Sequence, residues 1–432
     1  MSLALKKKTW VLMLILFAMI KISSGQKTVL SLDQIQDEVQ RNYPLVKGKE
    51  LFRKHSELSI ENIKIAYLPK LYANGKMSYQ SDVTGSPLSG PNSFGAPKDQ
   101  YSLNLDVEQL IYNGGRTKTQ LNLDKLSTEL DIQDLEVKMF ALRERVNEAF
   151  FSILLLRQSR MVIDEKKKSI TASLEQVKSA VKSGVMAMAN SKILEAEILL
   201  INQQVNELEF AEKSAFETLA VLMNRGADFE IEIEDLELGQ NDVIVEDEQL
   251  EKRPEYQLYA GQKNLLTERI ELVKKDRLPV ITGFGQLGYG QPGYNQLNDA
   301  FDSYYMIGAK VSWNIFDWKA GKRNQRKFDI QKELVETQEL SFQSNQKVEL
   351  RKEYNNISKF RILLTQDDAI VELQEDVTKS SSSKLDNGII TSSDYLDDLN
   401  KEIQAKLNRE YHQIQLSQSI AEYNRIIGKT EL

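Results

Sequence analysis

Side chains able to make or break bonds are thinly spread in this chain. It has no cysteine, and its two histidines, His55 and His412, lie far apart in polar surroundings. A thiol nucleophile, a disulfide framework and a lipid-modified cysteine are therefore excluded, and both histidines are expected to be solvated rather than metal ligands. Gly283, Gly285, Gly288 and Gly290 superficially resemble a phosphate cradle. They sit inside an alternating, strand-like segment and precede no helix, which that chemistry requires. Glycine there reads instead as permission for a strand to pack closely or bend. Asp and Glu pairs abound on helical stretches, as on any solvated helix face, with no nucleophile–base arrangement beside them. Neither an enzyme nor a cofactor or metal is expected.

The ends and the charge narrow the class further. Lys6-Lys7-Lys8, an apolar run from Trp10 to Ile20 and Ser23-Ser24-Gly25 form the three regions of a secretory signal, with cleavage after Gly25. The apolar run falls short of the roughly 20 residues a membrane-spanning helix needs. Removing residues 1–25 removes four Lys and no acid, which takes the formal charge from −7 to −11. An acidic mature chain is a poor ligand for nucleic acid, where affinity comes from neutralising phosphates.

An internal repeat organises what remains. Pro69-Lys70-Leu71 opens one alternating segment and Leu278-Pro279-Val280 another; Ser183-Gly184-Val185 corresponds to Asn387-Gly388-Ile389. Leu222-Met223-Asn224-Arg225-Gly226 is echoed by Tyr423-Asn424-Arg425-Ile426-Ile427-Gly428. The expected organisation is a first repeat at 26–226, with strands near 70–83 and 100–112 and a helical hairpin near 117–224. An acidic connector follows at 227–248, in which the Glu-Ile-Glu-Ile-Glu of 230–234 fits a short strand or a solvated connector and is read as the connector. The second repeat, 249–432, carries strands near 279–290 and 303–316 and a hairpin near 322–427.

The helices are long. No Pro or Gly occurs from Thr117 to Ser183, and Leu135, Leu142, Ala149, Leu156, Ile163, Ile170 and Val177 fall at seven-residue steps. Such a seam implies left-handed supercoiling against neighbouring helices, and at 1.5 Å per residue the helix runs roughly 100 Å. The second half repeats the plan with Leu350, Ile357, Leu364 and Val371 beside Leu363, Ile370 and Val377. Seams alone also fit a secreted structural coiled coil, an envelope tether or adaptor without a pore.

The strands argue otherwise. Odd positions of 71–79, 101–107 and 305–315 are largely apolar or aromatic and the even ones largely polar, whereas 280–289 is Gly-rich and alternates weakly. A period of two over about ten residues suits a tilted membrane stave. Four staves cannot close a barrel, and open edges are not tolerated in lipid, so several chains must each donate four; three would give twelve.

With its duplicated plan, Leu110-Ile111-Tyr112-Asn113-Gly114-Gly115-Arg116, and Asn387-Gly388-Ile389 followed by Asp394-Tyr395-Leu396-Asp397, the mature chain resembles the TolC-like outer-membrane efflux family. That resemblance implies a mainly helical protein with membrane β-structure: a homotrimer with a shared 12-stranded barrel in the bacterial outer membrane lipid and a 12-helix periplasmic tunnel. It would be a passive exit duct of a tripartite efflux or type I secretion system, docked by a periplasmic adaptor and an inner-membrane transporter. By position, Gly184, Val185, Gly388 and Ile389 correspond to the tips an adaptor grips, and Asp394 and Asp397 to a ring of carboxylates at the pore constriction. Read from the residues alone, the same two acids are an N-terminal turn complementing the helix dipole after Ser392-Ser393. Two positions depart from the family pattern: Asn190 stands where an acid can occur, and Ile390 where some members carry Arg.

Overall fold

The computed structural model describes residues 28–83, 96–226, 231–234 and 252–429. The signal segment and most of the acidic connector lie outside the described residues. The chain runs β1 (Thr28–Leu30), α1 (Leu32–Asn42), α2 (Lys47–Lys64), β2 (Lys70–Tyr79), β3 (Asp99–Tyr112), α3 (Arg116–Lys182) and α4 (Met188–Leu222). It continues β4 (Ile231–Ile233), α5 (Pro254–Lys275), β5 (Val280–Gln291), β6 (Asp302–Ser312), α6 (Ala320–Asp386) and α7 (Ser392–Ile426).

The repeat is metrically regular. α3 and α6 each have 67 residues, α4 and α7 each 35, and all four boundaries of the second hairpin lie 204 residues after those of the first. Every left-handed residue described falls into a pair at that spacing: Gly114 with Trp318, Gly115 with Lys319, Gly184 with Gly388, Asn224 with Gly428. The last two pairs end helices in one way. Val185 N–H donates to the Ala180 carbonyl (2.9 Å), Ile389 to Lys384 (2.9 Å), Arg225 to Ala220 (2.8 Å) and Lys429 to Asn424 (2.9 Å), each satisfying a carbonyl the ending helix would orphan.

Two compact units share the chain. One takes in Met1–Val46, Lys138–Arg253 and Ser344–Leu432, the other Lys47–Val137 and Pro254–Gln343. In the first, the heptad seam buries as its spacing demands: Val146, Ile153, Ile163, Ile170, Leu174 and Val177 of α3 are buried. Ile163, Ile170, Leu174 and Val177 join Leu194 and Ile201 of α4, Leu385 of α6, and Tyr395, Leu396 and Leu399 of α7 in one core. Both hairpins thus pack together. The seam of α6 is less complete, since Leu350 and Ile357 are buried but Ile370 and Val377 stay exposed. β1 and β4 pair in parallel, Leu30 opposite Ile233. This corrects the reading of 230–234 as a solvated connector: Ile233 is buried and the Arg157 guanidinium donates to its carbonyl (3.2 Å). Its partner strand begins some 200 residues earlier, so no local signal could reveal the pairing.

The second unit holds a four-stranded antiparallel sheet in the order β2-β3-β5-β6, with the adjoining ends of α3 and α6, α2 and α5. Helix packing is close: a Cβ on Gly48 would meet Leu135 at 2.6 Å and one on Gly261 would meet Leu130 at 3.2 Å. The Asp124 carboxylate accepts from the hydroxyls of Ser56 (2.7 Å) and Ser59. β6 ends at Ser312; Trp313 leaves the ladder and donates its indole N–H to the Arg277 carbonyl (3.1 Å).

Candidate functional site

The sheet sorts its side chains by face. Pairing sets Leu71 beside Val107, Ala73 beside Leu105 and Met77 beside Tyr101, then Leu105 beside Leu287 and Leu287 beside Tyr305. Odd meets odd across all four strands up to the bulge between Leu110 and Tyr112, where Tyr112 meets Ile281, so one apolar face runs across the sheet. Among its members, Met77, Tyr305 and Ile307 are at least three-quarters exposed (78%, 75%, 81%). The weak alternation of β5 is resolved by its partners, which place Ile281, Leu287 and Tyr289 on this face.

The other face is polar and tied together. Asp106 accepts from the amides of Asn74 (2.6 Å) and Gln286 (2.7 Å), and Tyr304 O–H donates to Asn104 (2.8 Å). Two strand glycines, Gly288 among those read as close-packing positions and Gly308 besides, have their occupants here. A Cβ on Gly308 would lie 2.7 Å from the Phe284 ring, and Gly288 is covered by Tyr304; aromatic rings lying over strand glycines help pin register. Aromatics mark both ends: Phe301 stacks on Tyr101 and Tyr289 at one (6.2 and 5.6 Å), and Phe316 meets Trp318 at the other (4.8 Å). An apolar face this large and bare is what lipid contact requires and what a soluble tether cannot keep.

At the far ends of the helical hairpins, the four tip residues come together in part. Gly184 and Gly388 hold φ of +77° and +69°, and Val185 reaches to 3.5 Å from the place a Cβ on Gly388 would take. Val185 and Ile389 are both exposed. The turns are tied by Asn190, whose side-chain oxygen accepts from the Ser392 backbone N–H (3.0 Å). The position lacking an acid thus carries a bond between repeats.

Asp394 and Asp397 occupy the first turns of α7, both exposed. Thr391, not Ser392 or Ser393, caps the helix: its hydroxyl accepts from Asp394 N–H (3.2 Å) while the Asp394 carboxylate accepts from Thr391 N–H (2.9 Å) and O–H (2.7 Å). These bonds, the Thr391 hydroxyl first, hold the Asp394 carboxyl below its ordinary range. The matching cap of α4 is Ala187, without a side-chain bond. Sequence reasoning missed Asp398, which accepts from Ser381 O–H (2.5 Å) and is likewise lowered by it. His412, expected to be solvated, is only partly so: its Nδ1 lies 2.6 Å from Asp367 and its ring is tilted against Phe360.

An amphipathic sheet built from a duplicated hairpin and joined to long antiparallel helices is a fold of the outer-membrane channel type. The comparisons agree. Residues 39–225 match the outer membrane efflux protein family. Over nearly the full chain the fold is that of solved channels. These include the CmeC outer membrane channel of Campylobacter jejuni (14% identity, 92% of this chain and 85% of that one, TM-score 0.68) and CusC (12%, 93% and 93%, 0.72). The outer membrane protein VceC of Vibrio cholerae is a third (12%, 93% and 97%, 0.68). No curated protein matches. The family model covers less than half of this chain, and what the chain shares with the solved proteins is the TolC-like outer-membrane channel fold.

Proposed function

We propose that three copies join into a 12-stranded barrel continuous with a 12-helix periplasmic tunnel, and that the assembly is the passive exit duct of a tripartite efflux or type I secretion system. One observation carries this reading: a four-stranded sheet with a bare apolar face, a bonded polar face, and outer edges on β2 and β6 that nothing among the described residues pairs. Unpaired edges cost several kcal/mol per group in hydrocarbon, and eight strands is the smallest bacterial barrel. Within this reading an inner-membrane transporter supplies the energy and a periplasmic adaptor grips the tips at Gly184, Val185, Gly388 and Ile389. The exposed apolar pair Val185 and Ile389 supports such a contact.

Asp394 and Asp397 then form two stacked rings of carboxylates at the tunnel mouth. The hydrogen bonds from Thr391 favour the charged form of Asp394 within each copy. Rings of fixed negative charge favour cations. Asp394→Ala with Asp397→Ala is expected to lower cation-over-anion selectivity in planar-bilayer recordings and to abolish block by multivalent cations; unchanged selectivity and block would remove these residues from the constriction.

A further inference from the structure

The duplicated hairpin specifies how one copy meets the next. Two shifts superpose the halves: 204 residues carry β3 and α3 onto β6 and α6, and 210 carry β2 onto β5. The ladders check the mapping, because Leu71–Val107 becomes Ile281–Val311 and Tyr79–Asp99 becomes Tyr289–Ser303, and all four pairs occur. β3 against β5 is thus the seam where one hairpin meets the other. A second chain adding its β2 to the bare edge of β6 repeats that seam, and the same shifts then fix the register. Leu103–Tyr289, Leu105–Leu287 and Val107–Gly285 carry over to Ile307–Tyr79, Ala309–Met77 and Val311–Gly75.

We propose that β6 of one copy pairs with β2 of the next in this register, with Ile307 opposite Tyr79, Ala309 opposite Met77 and Val311 opposite Gly75. The proposal rests on the ring assembly above and adds its joint. Parity supports it, since odd again meets odd and the apolar face continues around the ring; a slip of one residue would turn Ile307 inward. The flanks add exposed apolar residues at the same joint. At the internal seam, Gly114 (φ +65°) lies so close to Leu278 that a Cβ would stand 2.5 Å from it, and Ile111 covers Gly283. Their images across the joint are Trp318 against Leu68 and Ile315 against Ala73; Trp318 carries the side chain that Gly114 lacks, so this flank must pack differently from the internal seam.

Trp318, Ile315 and Leu68 are all bare in the single chain (77%, 73% and 59% exposed). Trp318 moreover holds φ of +52°, a conformation uncommon for any residue but glycine. The joint gives all three a partner. Asp106–Gln286 carries over to Lys310–Lys76 on the polar face. Like charges facing across a ladder oppose pairing, so this one pair works against the joint, while a Lys on each bare edge also deters indiscriminate edge-to-edge association.

The chain has no native cysteine, so introduced pairs report cleanly. Ala309→Cys with Met77→Cys, and separately Val311→Cys with Gly75→Cys, are oxidised in outer-membrane vesicles and run on denaturing gels. Ala309→Cys with Gly75→Cys and Ala309→Cys with Tyr79→Cys are the off-register pairs. A disulfide needs Cα atoms within about 7 Å, so the in-register pairs are expected to give covalent trimers at about tenfold the off-register yield. The second in-register pair decides if the first does not reach the membrane. Equal or better linking off register, or no linking in register, in a protein whose native mass is a trimer overturns the joint. A native mass of one chain overturns the ring itself.

Discussion

Single residues set the behaviour of the tips. Thr391 and Asp394 cap each other across the start of α7, so Thr391→Ala is expected to cost about 1 kcal/mol of local stability, read as faster amide exchange over the first turn of α7. Asp394 has a depressed pKa in the folded chain. Its contribution is therefore complete above the ordinary carboxylate pKa and is lost as pH falls through the lower folded value. Protection of that turn should fall on acidification in the wild type and vary little with pH in Asp394→Asn; a pH-independent wild type would contradict the cap. α4 begins at Ala187 with no capping side chain, so Ala187→Ser should gain stability of the same order. The spacing of Asp394 and Asp397 was legible from the sequence. The capping by Thr391 was not, because three hydroxyl residues in a row compete for the place. Asn190 meets Ser392 across 202 positions, and only the fold brings them together.

At the scale of elements, periodic signals were the readable ones. Seven-residue steps and two-residue alternation are local, so long helices and staves followed from them directly. β5 was harder, because its glycines erase alternation and its face is decided by β3 and β6. For β4 the Glu-Ile alternation of 230–234 allowed a strand, but nothing local in a three-residue element could name β1 as its partner. Core positions of the hairpins should behave accordingly. Ile201 is fully buried in the shared core of both hairpins. Ile201→Ala is expected to cost about 2–5 kcal/mol, visible as a lower midpoint in denaturant with the slope unchanged. An effect below about 1 kcal/mol would mean that the helices do not pack as described.

For the whole molecule, the decisive property is which solvent each surface accepts. Leu287 stands in the interior strand β5 on the apolar face, more than half exposed. Leu287→Lys there should cost about 2–4 kcal/mol if it sits near mid-membrane, lowering the fraction of chain recovered in outer-membrane pellets. Gln286→Lys, one residue away on the polar face, should leave recovery intact. Equal loss from both would contradict the assignment of faces.

The two bare edges have a further consequence for the cell. A lone copy encloses nothing, so a freshly exported molecule cannot perforate the envelope by itself. In the ring proposed above, leakage is impossible until the last partner docks, and that same event removes every dangling amide from hydrocarbon. Safety and stability arrive in a single step.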